Sequence, residues 1–213
     1  FTPTNKIYYK TINGYELKVD FANEKLIYPE GIRYGRETTV NFSQAENFVV
    51  FECVHNLLTQ GYKPSNITLE PSTPGGHKDK PTYGDILISN NEGKEYMLIE
   101  CKTTEGKNGE FEKEWSRMKR DGGQLFNYYN SFRSCEWLCL YTSDLKYDSK
   151  VEYQYHLIFM RDSKDVLTFN EGFRSFEKVK QEQGNKDDYF NVWVNTYKLH
   201  SINVNLFESA PFK

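Results

Sequence analysis

The stretch YGDILISNNEGKEYMLIECK, residues 83–102, decides how this chain is read. Two apolar runs flank a polar, Gly-containing turn, which is the pattern of a β-hairpin. ILI and YMLIEC are apolar at successive positions, so the hairpin is expected inside a sheet, covered on both faces. Yet Asp85, Glu100 and Lys102 lie within or at the ends of those runs. A turn centred on Glu92–Gly93 sets Asp85 opposite Glu100, with Cβ atoms about 5 Å apart on one face. Lys102 shares that face because strand side chains alternate, while Cys101, Ile99 and Ile86 point the other way, into the core. Two carboxylates so close repel unless positive charge lies between them. Lys102 supplies part of that charge. A hard cation such as Mg²⁺, bound through one or two carboxylates plus substrate phosphate, would supply the rest. The backbone carbonyl of Cys101 is placed to add an oxygen ligand, and Lys102 to orient a water or assist its deprotonation. These parts suit phosphodiester hydrolysis. A pattern this short also occurs on edge hairpins whose charges simply pair in solvent, so the flanking sequence has to choose.

Upstream, SQAENFVVFECVHNLLTQ (43–60) reads as a helix. Ala45, Phe48, Val49, Cys53 and Leu57 recur at spacings of three and four. Ser43 and Glu46 form a capping-box pattern, and the Gly-Tyr that follows supplies a stop. Glu46 is therefore either a cap residue or an acid available to the hairpin; Glu52 is a second candidate, on a different face. NITLE is a short strand, followed by the loop PSTPGGHKDKPT. Residues 103–115 are polar and Gly-containing and read as a loop. Residues 116–132 read as helical apart from the Gly122–Gly123 pair, with the helix proper expected to start near GGQLFNYYN, where Gln124 and Tyr128 lie one turn apart on one face. CEWLCLYTS and VEYQYHLIFM read as apolar strands. Residues 5–42 hold short strands separated by Asn-Gly and Pro-Glu-Gly turns. Residues 161–213 mix short helices and strands, including FNVWVNTY and HSINVNLF. The order strand, helix, strands, helix, strand predicts an α/β fold with a mixed central sheet flanked by helices.

Composition narrows the class. A chain of 213 residues suggests one domain, or one domain with an appendage, and one of this size buries roughly 70% of its unfolded surface without staples. The formal net charge of −3 is not that of a generic nucleic-acid binder, although a local groove can outweigh the sum. The densest basic run is KEWSRMKR (113–120), in which Lys113, Arg117, Lys119 and Arg120 face one acid, Glu114. It is either a DNA-facing stripe or a solvated helix face. Aromatics at 16% point to strand packing ahead of base stacking. The four cysteines, Cys53, Cys101, Cys135 and Cys139, form no CxxC pair and read as buried thiols of a reducing, cytoplasmic protein. No apolar run is long enough to span a membrane.

GDILI…LIECK resembles the core of the PD-(D/E)xK nuclease superfamily, with Gly84 where the family name has Pro. Gln124-x-x-x-Tyr128 resembles the QxxxY motif of RecB-like nucleases and of the restriction (R) subunits of type I restriction–modification enzymes. SQAENFVVFECVHNLLTQGY resembles the R-subunit helix that carries an acid, here Glu46, about fifteen positions before a Gly-Tyr. ITLEPSTPGG before YGDILI and EWLCLYTSD after the QxxxY helix keep the same order. The resemblance covers residues 43–143.

It implies a restriction-endonuclease-like core over 43–160, a β-rich extension over 1–42, and a C-terminal extension or linker over 161–213. It further implies that Asp85 and Glu100 hold Mg²⁺, that Glu46 completes the metal site directly or through water, and that Lys102 positions the water. Gln124 and Tyr128 would steady the lysine or contact DNA. The implied partners are double-stranded DNA and the methyltransferase and specificity subunits of a type I complex. R subunits also translocate DNA with ATP, but this chain has no G-x-x-x-x-G-K-[ST] run, so ATP would act only through motor domains outside it. It begins at Phe, as an excised domain would. A stand-alone type II or repair nuclease, or a silent DNA-binding or assembly module of the same fold, are the competing expectations.

Overall fold

The computed structural model describes residues 2–4, 6–72, 83–104, 109–129, 131–146 and 150–160. The chain opens with an antiparallel four-stranded meander: β1 (Thr2–Thr4), β2 (Ile7–Ile12), β3 (Tyr15–Asp20) and β4 (Lys25–Ile27). The β2–β3 turn is Asn13–Gly14, both with positive φ, as a two-residue hairpin whose twist matches its strands requires. Asn13 also donates from Nδ2 to the Leu58 carbonyl (2.8 Å), tying this turn to the end of the first helix.

A second sheet has six strands in the order β10-β9-β8-β7-β6-β5. These are β5 (Arg33–Tyr34), β6 (Ile67–Leu69), β7 (Ile86–Ser89), β8 (Glu95–Cys101), β9 (Trp137–Leu145) and β10 (Val151–Phe159). Pairs β5–β6 and β8–β9 are parallel and the rest antiparallel, so the sheet is mixed, as expected. Helix α1 (Ala45–Thr59) covers one face; α2 (Glu110–Asp121) and α3 (Gly123–Tyr129) cover the other. The parallel β8–β9 pair needs a crossover, and α2 and α3 are that crossover.

The period-two pattern of the strands sorts two cores. Ile86, Ile88, Met97, Ile99, Cys101, Cys139 and Tyr141 face α1. Leu87, Leu98, Leu138 and Leu140 face α2 and α3. Ile12, Leu17 and Leu26 of the meander belong to the α1 core, so the helix is enclosed between two sheets. All four cysteines are buried, and none is joined in a disulfide. Among the described residues no helix is long and apolar enough to cross a membrane.

Several expectations need correcting. The N-cap of α1 is Gln44 rather than Ser43, and no side chain caps it, so the Ser43–Glu46 capping box does not form. Phe48 is 40% exposed, whereas Val50, Val54 and Leu58, outside the predicted stripe, are buried. Enclosure by two sheets widens the apolar face beyond one stripe. The C-terminus does end at the Gly-Tyr: Tyr62 N–H donates to the Leu57 carbonyl and Gly61 N–H to that of Leu58, a Schellman motif with Gly61 at φ +94°.

Residues 110–115 are helical, not loop. Phe111, Glu114 and Met118, all buried, mark the inner face of α2, an amphipathic helix so rich in charge that its few apolar residues pass for a polar loop. Gly122, in the left-handed region at φ +84°, ends α2 and lets α3 begin one residue later. The tip of the β7–β8 hairpin is also displaced by one: Ser89 pairs with Glu95, and a bulge at that step restores Ile88↔Met97, Leu87↔Leu98 and Ile86↔Ile99. That last register is the one that sets Asp85 opposite Glu100. Most of the PSTPGGHKDKPT loop and all of 161–213, with FNVWVNTY and HSINVNLF, lie outside the described residues.

Candidate active site

Strand β8 is third from one edge of its sheet, and its C-terminal end carries the charged residues. Asp85 sits just before β7, where the chain bends in. It is bonded through both backbone and side chain: Glu70 N–H donates to its carbonyl (2.8 Å) and Cys101 N–H to Oδ2 (2.7 Å). Cys101 thus contributes its N–H to the site's frame, with its thiol in the core as expected.

Glu100 is 2% exposed. Its Oε1 accepts from Lys102 Nζ at 2.7 Å, and its Oε2 is buried with no hydrogen-bond partner. Lys102, also buried, reaches Glu46 as well, at 3.4 and 3.5 Å from the two carboxylate oxygens. The backbone N–H of Lys102 donates to the Tyr141 carbonyl (2.9 Å), which extends the β8–β9 ladder and fixes where the side chain starts. Freed from capping, Glu46 points at the lysine from the first turn of α1. Lys102 therefore bridges two acids from different elements. Glu52, the competing acid, pairs instead with His55 Nδ1 (3.0 Å).

Tyr128 is buried and packs beside Gly84, where an added Cβ would lie 3.7 Å from its ring and 3.2 Å from Leu98. Gln124 Nε2 donates to the Tyr128 hydroxyl (3.4 Å), so the two residues work as one unit on α3. Two members of the basic run pair within their own helix instead. Lys113 pairs with Glu110 at the surface (2.8 Å), Arg117 pairs with the buried Glu114 (3.0 Å), and Arg120 is exposed. Lys119 lies on the same helix, and its side chain is outside the described set.

Electrostatics follow burial. Desolvation pushes the Asp85 carboxyl up to about 7, with Lys102 opposing and Glu46 and Glu70 adding to the rise. Desolvation, then the Asp85 charge, drives Glu100 well above the usual carboxylate range. Burial alone would lower Lys102, but the charges of Glu100, Asp85 and Glu46 outweigh it and hold the ammonium firmly protonated. Desolvation raises Tyr128 to about 12, and the Glu100 and Asp85 charges contribute, which places its hydroxyl in their field.

Asp85, half-buried, and Glu100, buried, outnumber the single Lys102 ammonium beside them, and the unpartnered Glu100 Oε2 marks where the charge is least satisfied. A hard divalent cation fits that deficit, since it takes carboxylate oxygens and completes its shell with water and phosphate. Among the described residues no three acidic, histidine or cysteine side chains converge on one point. Glu46 meets the cluster through Lys102.

Two acids of weight were not picked out in the sequence. Glu70, 3% exposed, sits where β6 meets Asp85, in a left-handed conformation at φ +48°. Glu114, fully buried, accepts the Gln124 N–H at Oε1 (2.7 Å) and so seats α3. An acid directly before a proline was the available signal for Glu70; nothing separated Glu114 from its charged neighbours. A scan against known protein families matches none, and a search of curated proteins also returns no match.

Proposed function

We propose that this chain is a Mg²⁺-dependent DNA endonuclease domain with a restriction-endonuclease-like core, the DNA-cleaving part of a type I R subunit. The observation that carries the reading is the buried Glu100–Lys102 pair beside the half-buried Asp85, with the unpartnered Oε2 of Glu100. A purely structural ion pair would leave no excess carboxylate in the interior, because such a group costs stability and gives none back. The ordered set Glu46, Asp85, Glu100-x-Lys102, Gln124-x-x-x-Tyr128 supports the type I assignment within the superfamily.

Asp85 and Glu100 would hold the cation, which supplies Lewis acidity toward the phosphoryl group when bound. Lys102, kept cationic by Glu100 and Glu46, offers its ammonium to the attacking water and to the charge developing on phosphate. Water oxygen bonds to phosphorus, the bond to the leaving sugar oxygen breaks, and that oxygen takes up a proton. Gln124 and Tyr128, joined to each other on α3, would steady the lysine or contact DNA.

The test is metal titration by calorimetry alongside cleavage of duplex DNA, using the 213-residue chain and its parent complex. Asp85→Ala and Glu100→Ala are expected to lose Mg²⁺ affinity and cleavage together. Lys102→Ala is expected to lose cleavage, by at least about a hundredfold as for other electrostatic stabilisers, while keeping most of its metal affinity. If none of the three substitutions impairs restriction by the complex, and no Mg²⁺ or Mn²⁺ binds, the chain is a silent module.

A further inference from the structure

We propose that Arg36 is a DNA-phosphate contact on the Asp85 side of the site, held ready by the buried carboxylate of Glu70 and the ring of Tyr83. The inference rests on the nuclease reading and adds to it a residue that no sequence motif contains. Arg36 Nε donates to Glu70 Oε1 at 3.1 Å, and its guanidinium carbon stands 4.0 Å over the Tyr83 ring. Glu70 is otherwise occupied by Thr38, whose N–H donates to Oε2 (2.7 Å) and whose hydroxyl donates to Oε1. The acid is 3% exposed but the arginine side chain is 47% exposed, so the pair is buried at one end and open at the other.

This arrangement is built at some cost. Glu70 adopts φ +48° although it precedes Pro71, a position that favours extended backbone. A Cβ at Gly35 would lie 1.9 Å from the Glu70 carbonyl oxygen, so only glycine lets the Arg36 segment approach this closely. Backbone strain of this kind gathers at binding and catalytic sites. The same Glu70 donates its N–H to the Asp85 carbonyl and its charge is felt at the Asp85 carboxyl, so the Arg36–Glu70 pair adjoins the segment that carries Asp85.

A guanidinium has five donors in a planar fork. Glu70 engages Nε and Tyr83 one face, which leaves the Nη edge turned outward. That edge matches two phosphate oxygens, and the conformational entropy of the side chain is already spent. A lysine at this position would carry the charge without the fork.

The experiment is duplex-DNA binding by fluorescence anisotropy over a salt series with Mg²⁺, every variant carrying Lys102→Ala so that nothing is cleaved. Arg36→Ala is expected to bind roughly tenfold more weakly on any sequence, with the slope of log K against log salt reduced by about one. Arg36→Lys should keep the parent slope and remain several-fold weaker. Lys94→Ala, in the exposed hairpin turn at the opposite end of β7 and β8, should change neither. A folded Arg36→Ala protein with the slope and affinity of the Lys94→Ala control overturns the proposal. If Arg36→Ala does not fold, Arg36→Lys decides, and parent-level affinity in that variant overturns it. A parent that binds no duplex at any salt takes down the nuclease reading and this inference with it.

Discussion

At the scale of single residues, the site is a problem in unbalanced charge. Asp85 and Glu100 are both raised, by desolvation first, and Lys102 neutralises only part of what they carry. The metal-free folded protein therefore binds more protons than the unfolded chain between the ordinary carboxylate pKa and about 7. Stability from this group is complete below that window and is lost as pH rises through it. Asp85→Asn removes the titration but keeps an oxygen for the Cys101 N–H. It is expected to raise the melting temperature of the metal-free protein at pH 8 by several degrees, and by much less at pH 5. Calorimetric scans in chelator at both pH values measure the difference; an equal shift at both would show that Asp85 does not titrate as described. Asp85, Glu100 and Lys102 were legible as a set because strand alternation puts them on one face. Glu46 was legible as an acid on the right helix, but its freedom from capping became visible only when Gln44 proved to be the cap.

At the scale of elements, the junction between α2 and α3 decides where Gln124 and Tyr128 stand. Glu114 accepts the Gln124 N–H from inside the protein, and a Cβ on Gly123 would fall 2.3 Å from Glu114 Oε1 and 2.9 Å from Met118 Cγ. The carboxylate cannot simply swing away, because it is fully buried and paired with Arg117. Gly123→Ala is therefore expected to cost about 2 kcal/mol through overpacking, beyond the ~1 kcal/mol for its left-handed backbone. It should also reduce cleavage by displacing Gln124. Gly93→Ala has a positive φ but open space around it, so it isolates the backbone contribution. Equal destabilisation of the two variants in urea melts would mean that α3 is not seated on Glu114. Reading the sequence located α3 from its Gly pair and missed the first turn and a half of α2. Phe111, Trp115 and Met118 do recur at helical spacings of four and three, but so few apolar residues among so many charges read as a polar loop.

At the scale of the molecule, the meander and the six-stranded sheet share a core. Leu17, from β3, is fully buried among residues of α1 and the central strands. Leu17→Ala is expected to cost about 3 kcal/mol and to lower a single unfolding transition, followed together by tryptophan fluorescence and far-UV circular dichroism. Two separate transitions would show that the meander folds apart from the rest. The shared core also explains why α1 is buried around more of its circumference than its predicted stripe, and why Phe48 is left at the surface.

The sequence by itself determined the local grammar of this protein. The hairpin, the pairing of Asp85 with Glu100, the helix stop at Gly61 and the apolar strands β9 and β10 all follow from periods of two and 3.6 and from turn chemistry. These signals act over a few residues, and a chain's neighbours are always present. The tertiary structure alone decided what bridges the acids. Lys102 meets Glu46 across fifty-six positions, and Arg36 meets Glu70 across thirty-four. Whether a charge is buried, and which charge then answers it, depends on how distant elements pack, and no local pattern encodes that distance.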